Sequence, residues 1–466
     1  MLFEDMEFGY YTEAERRVRE ALEHYENGKM PQALLALDTA LELDPSNSSW
    51  HFNKGLTLDS VGRFEDAIKE YETALELSLN DLEVLNSLAV DYTRTGQYDL
   101  AIETFERIEQ FKPDFEPCYC NRIITYTEME LHDLAEQMFY LAQQINPDCA
   151  LCYYNIGNSL FIRGQYRKAI HCWTKTAELE PTHPQINYRI AQAYWSNDDA
   201  ERAREHFLAE LRANPGDIEV ILDFGLFLLE KGDIESAKEK FTRIIELEPD
   251  FAPALFYLGE VAFNSGNYER AIGLFEQTLE KDGELAGPRY RLAQYELAKQ
   301  QHRRARDYLL DELKLAGNNA DVLVSMGSMF MIIGEPDYAM HCLLRAVDID
   351  DAHAQAYYYL GLISAMNGRL EDAADFLGHA LDINPQDVNA LKDSAIVNLA
   401  MGRLDKAAER LRKAGALAAG LPQLKALGRR IKLARLAERI ANFFARPQSR
   451  FIRRLLSTFR MPARRG

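Results

Sequence analysis

Alanine recurs at intervals of 34 residues along almost the whole chain. Alanine makes up about one residue in ten of ordinary proteins, so chance does not produce such a run. A fixed period of about 20–50 residues is typical of repeat architectures, in which each unit covers the apolar face of its neighbour. The frame divides residues 14–421 of the 466-residue chain into twelve units without an insertion. The twelve alanines are Ala33, Ala67, Ala101, Ala135, Ala169, Ala203, Ala237, Ala271, Ala305, Ala339, Ala373 and Ala407.

The residues around each alanine predict two short helices per unit. Twelve places earlier stands Gly or Ala in every unit except the one with Ile123, and small residues let two helix backbones approach closely. Four places later stands a large residue, such as Tyr71 or Trp173, which is expected to fill the gap toward the next unit. A glycine between the helices supplies a left-handed C-cap in most units, and Pro often follows the second helix and prevents its continuation. The turn glycine is replaced at Glu130, Asp198 and Gln300.

These features resemble the tetratricopeptide repeat family, whose signature is a 34-residue helix–turn–helix unit. Residues 50–77 and 152–181 match that consensus closely. The resemblance implies an all-α fold, a right-handed α-solenoid of stacked helix pairs whose first helices line a concave groove. It does not by itself assign a function, because one fold can host many unrelated functions.

The resemblance also implies which residues of each first helix face the groove, and amides, aromatic rings and arginines occur at those places. An amide can donate to and accept from the backbone of a bound peptide, and Tyr, Trp and Arg are enriched at interface hot spots. In the alternative interpretation, the asparagines are the ordinary consensus and the rings pack between adjacent units. The predicted peptide-binding residues are Asn53, Asn86, Asn121, Tyr154, Asn155, Asn158, Tyr188, Arg189, Gln192, Trp195, Tyr257, Tyr290, Arg291 and Tyr358.

Charge and motifs argue against several classes of function. The net charge is −20, although residues 421–466 carry 13 lysines and arginines against one acid. The remaining body is strongly acidic and would repel phosphates, so no nucleic acid partner is expected. Phosphate-binding loops, paired-histidine motifs and nucleophile elbows do not occur in the sequence, so neither an enzyme nor a cofactor is expected. The acidic start does not read as a secretory signal, and a cytoplasmic protein is expected.

Four of the six cysteines lie close together in the sequence, at Cys118, Cys120, Cys149 and Cys152. Four thiolates could bind zinc. However, Cys118 and Cys152 hold the same position in neighbouring units, which would keep them about one repeat apart, and Cys120 is expected to face the groove. The sequence therefore predicts free thiols and no metal site.

The two ends differ from the repeats. Residues 1–13 are expected to pack on the first unit, and residues 446–466 form a basic amphipathic tail or a solvated one. Residues 422–445 read as a helix that covers the apolar face of the last unit. Its apolar residues are Leu424, Leu427, Ile431, Leu433, Leu436, Ile440 and Phe443.

The sequence therefore favours a non-enzymatic scaffold that holds extended or helical peptide segments of other proteins in its groove. A second hypothesis is a peripheral membrane adaptor, which residues 448–466 would anchor to an anionic surface on the inner face of a membrane. A third is the targeting subunit of a separate enzyme, such as a glycosyltransferase.

Overall fold

The chain forms helices joined by short turns. The computed structural model describes residues 13–315, 317, 319–418 and 421–445, which contain twenty-five α-helices and no strand. In chain order they are α1 Glu13–Glu26, α2 Met30–Leu43, α3 Ser48–Asp59, α4 Phe64–Leu77, α5 Leu82–Arg94, α6 Tyr98–Phe111, α7 Glu116–Glu128, α8 His132–Ile145, α9 Ala150–Ile162, α10 Tyr166–Leu179, α11 Ile186–Ser196, α12 Ala200–Ala213, α13 Ile218–Glu230, α14 Ile234–Leu247, α15 Ala252–Asn264, α16 Tyr268–Lys281, α17 Pro288–Ala298, α18 His302–Leu315, α19 Ala320–Ile333, α20 Pro336–Ile349, α21 Ala354–Met366, α22 Leu370–Ile383, α23 Val388–Ala400, α24 Leu404–Leu417 and α25 Pro422–Ala445.

Within residues 1–240 the helices from α1 to α12 pack as consecutive pairs, and within residues 241–466 those from α15 to α24 do the same. This is an all-α helical repeat solenoid, as the sequence predicts. The chain divides into two compact units, residues 1–240 and 241–466, with the boundary inside α14. Among the described residues, no helix combines the length and the apolar character that crossing a bilayer requires.

The repeated alanine is fully buried in every repeat. All twelve alanines are 0% exposed. The large residue four places later lies over the small residue of its own unit, and not only toward the next unit. A Cβ atom added to Gly55 would come within 2.3 Å of the Tyr71 ring, and one added to Gly157 within 2.4 Å of the Trp173 ring. Where the earlier residue is glycine, close packing therefore pairs a residue without a side chain with a residue that has a large one.

The turn between the two helices uses a left-handed residue whether or not that residue is glycine. The nine turn glycines have φ between +70° and +91°. Glu130, Asp198 and Gln300 adopt the same region, with φ of +59°, +57° and +60°. A left-handed conformation costs a residue with a Cβ atom roughly 1–2 kcal/mol, so these three turns keep their shape at the expense of local strain.

The last helix, α25, covers the preceding pair with only part of its length. Leu424, Leu427 and Ile431 are buried, and Leu427 and Ile431 pack with Ala395 and Ala407. The sequence places further apolar residues at helical spacing on this helix, and three of them are not buried. Leu433, Leu436 and Ile440 are 65%, 54% and 48% exposed. The side chain of Phe443, residues 1–12 and the tail 446–466 lie outside the described residues.

Candidate functional site

A cavity of about 250 Å³ opens on the first helices of three consecutive repeats in the first unit. Three of the predicted peptide-binding residues, Asn155, Asn158 and Arg189, meet there. The cavity lies within one compact unit, and the packing of successive pairs fixes its walls. Its lining comprises Ile124, Thr127 and Glu128 of α7, Asn155, Asn158, Phe161 and Ile162 of α9, Trp173 of α10 and Arg189 of α11.

Two polar side chains of this cavity, those of Asn155 and Arg189, hydrogen bond to groups that do not line it. The Asn155 amide nitrogen donates to the Cys120 carbonyl oxygen at 3.1 Å. Arg189 Nη1 donates to Gln192 Oε1 at 3.3 Å, and Gln192 Nε2 donates in turn to Asp223 Oδ2 at 3.0 Å. Arg189 Nε is buried and has no hydrogen-bond partner among the described residues. Buried donors are nearly always paired in folded proteins. An acceptor atom of a bound ligand would therefore supply the hydrogen bond that Arg189 Nε lacks.

The edge of the cavity is apolar. Ile124 is 37% exposed and Ile162 is 62% exposed. The guanidinium of Arg189 also lies over the Tyr188 ring, 5.9 Å from its centroid. Exposed aliphatic side chains beside a held arginine can accept an apolar side chain and, next to it, a carboxylate or carbonyl oxygen.

Several other predicted groove residues hydrogen bond between neighbouring first helices. Asn121 donates to Asn86 at 3.0 Å. The other such bonds are Tyr188 Oη to Asp223 Oδ2 at 2.7 Å, Trp195 Nε1 to Glu230 Oε2 at 2.7 Å and Tyr358 Oη to Asp393 Oδ2 at 2.9 Å. In every case the two residues are 35 apart in the chain. These contacts agree with the alternative interpretation of the sequence, in which such residues pack between adjacent units.

Tyr188 corrects the prediction most clearly. It is 1% exposed, so its ring offers almost no surface to a ligand. Burial, together with the hydrogen bond to Asp223, raises the pKa of its hydroxyl well above the usual value. The residue therefore acts as a neutral donor that ties α11 to α13.

In the second unit, the predicted arginine is already paired. Arg291 Nε and Nη2 donate to the two carboxylate oxygens of Glu260 at 2.6 Å and 2.5 Å. Arg291 Nη1 donates to Gln294 Oε1 at 2.9 Å, and Gln294 Nε2 donates to Tyr290 Oη at 2.8 Å. A bidentate pair of this kind uses the guanidinium face that a ligand carboxylate would need.

The remaining predicted residues do not line the cavity over α7, α9 and α11. The Tyr257 ring stacks on the Phe241 ring with centroids 5.4 Å apart. The Tyr154 ring lies 4.4 Å from the ring of His183. Asn53 is exposed and borders a smaller, largely apolar cavity of about 120 Å³ near α1.

The cysteines also differ from the prediction. Cys120 is 1% exposed and does not face the groove. It forms a disulfide with Cys152, and the Cα atoms of the two residues lie 5.1 Å apart. Cys149 is a free thiol whose sulfur lies 3.4 Å from that of Cys120. Cys118 is a buried free thiol, and its sulfur donates to the Phe105 carbonyl oxygen at 3.3 Å.

Four further residues of the cavity were not predicted from the sequence. Ile124, Thr127, Glu128 and Ile162 occupy first-helix positions that the family resemblance assigns to the groove. Their residue types are weaker signs of a binding site in a sequence than amides, aromatic rings and arginines. The repeat frame alone would have identified them.

Family models match most of the array. Two models described as tetratricopeptide repeat match residues 18–78, 58–114, 154–218 and 333–388, and residues 364–431, and together they cover more than half of the chain. The middle TPR-like domain of cilia and flagella-associated protein 70 matches residues 188–288. No curated protein sequence matches the chain.

Solved structures with similar folds are distant in sequence. The Cut9–Hcn1 hetero-tetramer of the APC/C gives 13% identity and a TM-score of 0.42, covering 90% of this chain and 96% of that one. A tetratricopeptide repeat protein from Parabacteroides merdae gives 17% identity and a TM-score of 0.43, with 54% and 98% covered. YrrB, described as having an unusual peptide-binding site, gives 21% identity and a TM-score of 0.38, with 41% and 97% covered.

Proposed function

The chain belongs to the tetratricopeptide repeat family, and from that premise we propose that it holds a peptide segment of a partner protein in the cavity over α7, α9 and α11. The fold is in general that of a protein–protein interaction scaffold. This proposed function consists of binding alone and includes no chemical step, so it is a non-enzymatic one. The acidic body disfavours nucleic acid as the partner.

The observation that carries the proposal is the buried, unpartnered Nε of Arg189. Arg189 lines the same cavity as Asn155, Asn158 and two exposed isoleucines, Ile124 and Ile162. A bound segment would place an apolar side chain against Ile124 and Ile162 and an acceptor oxygen on Arg189. Charge-assisted hydrogen bonds to a carboxylate are about twice as strong as neutral ones. The proposed partner segment therefore carries an apolar residue next to an acidic one.

The experiment is a selection from a peptide library, followed by affinity measurements with the purified full chain. Peptides that combine an apolar and an acidic residue should be enriched. Arg189→Ala should weaken their binding at least about thirtyfold, because truncating a true hot spot costs about 2 kcal/mol or more. Arg167→Ala removes an exposed arginine from α10 and is the matched control, so it should leave affinity unchanged. Equal binding to wild type and Arg189→Ala would contradict the proposal.

A second candidate function is attachment to an anionic membrane surface, and the exposed side of α25 favours it. Leu433, Leu436 and Ile440 recur at helical spacing and are exposed. Residues 421–466 supply 13 basic side chains. Exposed apolar residues within a basic helical segment are typical of interfacial membrane binding.

For this candidate we expect the full chain to float with phosphatidylserine vesicles at low salt. Leu433→Asp with Leu436→Asp should abolish flotation, because it puts charge on the inserting face. Leu35→Asp is the matched control, since Leu35 is 68% exposed on α2. Flotation should also weaken at high salt as charges are screened. Unchanged flotation of the double variant would exclude α25 as the attachment site.

A further inference from the structure

Three cysteines and one glutamate converge where α7 and α9 begin. The cluster consists of Glu116, Cys120, Cys149 and Cys152, and its four candidate ligand atoms all lie within 4.8 Å of one another. The cluster lies in the first unit, and none of its four residues lines the candidate cavity. The two share one contact, because the Cys120 carbonyl oxygen accepts the hydrogen bond from Asn155.

The two helix starts hold the four side chains in place. Glu116 and Cys120 are one turn apart on α7, and Cys149 is the N-cap of α9 with Cys152 in its first turn. The Cys149 sulfur accepts a hydrogen bond from the Cys152 backbone N–H at 3.3 Å. Glu116 Oε1 lies 3.0 Å from the Cys120 sulfur and 3.1 Å from the Cys152 sulfur. One carboxylate oxygen thus faces two sulfurs from two neighbouring repeats.

A disulfide accounts for only two of these four groups. It leaves the Cys149 thiol 3.4 Å from the bonded Cys120 sulfur and the Glu116 carboxylate against both bonded sulfurs. A metal ion would account for all four. Tetrahedral zinc bonds sulfur at about 2.3 Å and carboxylate oxygen at about 2.0–2.2 Å, which separates the sulfurs by about 3.8 Å. The observed spread of ligand atoms accommodates such an ion with small side-chain movements.

We propose that the reduced form of this cluster binds one soft divalent metal ion, zinc by its chemistry, through the sulfurs of Cys120, Cys149 and Cys152 and the carboxylate of Glu116. Thiolate ligands select zinc over the hard cations magnesium and calcium. Four protein ligands leave no open position, which is the arrangement of a structural site. Cys120 and Cys152 are 1% exposed, whereas Glu116 and Cys149 are partly exposed and offer an ion a route inward.

The metal ion and the disulfide are alternative cross-links between α7 and α9, and only one of them can be present at a time. A metal-bound sulfur must be a thiolate, so the ion binds only after the Cys120–Cys152 bond is broken. A phosphine reductant breaks it: the phosphorus is oxidised to the phosphine oxide with the oxygen of one water. The two protons of that water yield two thiols, and metal binding then displaces the thiol protons.

The test is a titration of the phosphine-reduced full chain with Co²⁺, a spectroscopic substitute for zinc. We expect one equivalent to produce the charge-transfer and ligand-field absorption of tetrahedral thiolate cobalt, and Zn²⁺ to abolish it. The oxidised chain should give neither signal. If the reduced wild type shows no cobalt absorption of this type, the proposal is wrong.

Cys149→Ser separates the metal site from a simple disulfide, because Cys149 is outside the bond. Loss of one ligand should weaken zinc binding by more than the roughly tenfold that loss of an outer hydrogen-bond partner costs, and the sulfur-to-cobalt band should shrink by about a third. Cys172→Ala removes a buried free thiol of α10 and is the matched control. Circular dichroism checks that each variant is folded. Unchanged zinc affinity of folded Cys149→Ser would refute the ligand set.

Discussion

Asp91→Asn is expected to raise the free energy of unfolding around α5 by about 3 kcal/mol at pH 7, because burial already raises the pKa of Asp91 to about 6. The residue is 0% exposed, and its Oδ2 has no hydrogen-bond partner among the described residues. The charge of Asp59 raises the pKa further, and Arg94 opposes the shift. Asparagine has the shape of the protonated acid and carries no charge, so it avoids the cost of ionising a buried carboxyl.

The sign of the pH dependence follows from the raised pKa. The usual pKa is 3.8, so between about pH 4 and pH 6 the folded chain binds more protons at this site than the unfolded chain. Stability of the wild type therefore falls as pH rises through that window. The advantage of Asp91→Asn should be absent at pH 4 and complete by pH 7.

Hydrogen exchange of the α5 amides at several pH values measures this difference. Asp66→Asn is the control, since hydrogen bonds from Arg63 and Lys69 lower the pKa of that exposed carboxyl, and its loss should bring no gain. If Asp91→Asn accelerates exchange equally at pH 4 and pH 7, the carboxylate is required by the fold and the interpretation is wrong.

Two glycine-to-alanine changes in one repeat are expected to have opposite effects. A Cβ atom on Gly259 would lie 2.5 Å from the ring of Phe275, whereas one on Gly273 would meet no atom within 4 Å. Phe275 is fully buried, so its ring cannot move aside easily. Overpacking costs about 1–3 kcal/mol, and alanine in place of glycine within a helix gains about 1 kcal/mol. Gly259→Ala should therefore destabilise the second unit, and Gly273→Ala should stabilise it.

Chemical denaturation of the two variants beside wild type checks the signs. Phe275→Leu should rescue much of the loss in Gly259→Ala, because other repeats of the chain pair an alanine with a leucine at these positions, such as Ala293 with Leu309 and Ala395 with Leu411. In the Gly327–Leu343 pair, an added Cβ would lie 2.9 Å from the leucine, a softer contact than at Phe275. Equal stabilities for the Gly259 and Gly273 variants would show that the contact does not restrict packing.

The features that repeat along the chain were predictable from sequence. The 34-residue period predicted the helix pairs, because twelve copies of a small residue at one position point to one kind of contact. The left-handed turns were predictable where glycine marks them, but Gln300 keeps the same backbone without that signal. Local sequence patterns were thus sufficient to predict the helix pairs and most of the individual turns.

The contacts between side chains of neighbouring repeats were not predictable in the same way. A fixed period relates equivalent positions 34 residues apart, such as Cys118 and Cys152. In the structure, Cys152 instead meets Cys120, 32 residues away, and Tyr188 meets Asp223, 35 residues away. Adjacent first helices are offset, so facing positions are not equivalent ones. The pairing depends on that offset and on side-chain direction, which a one-dimensional period does not contain.

The bonds between residues 35 apart also restrict how such a gene can change. Recombination between repeated coding segments that adds or removes one whole unit leaves each donor and acceptor at the same separation. Insertion of a single residue inside a helix rotates everything beyond it by about 100°, which would turn Trp195 away from Glu230 and Tyr358 away from Asp393. The absence of any insertion in residues 14–421 is in keeping with this restriction. The array can change its length in whole units far more easily than in single residues.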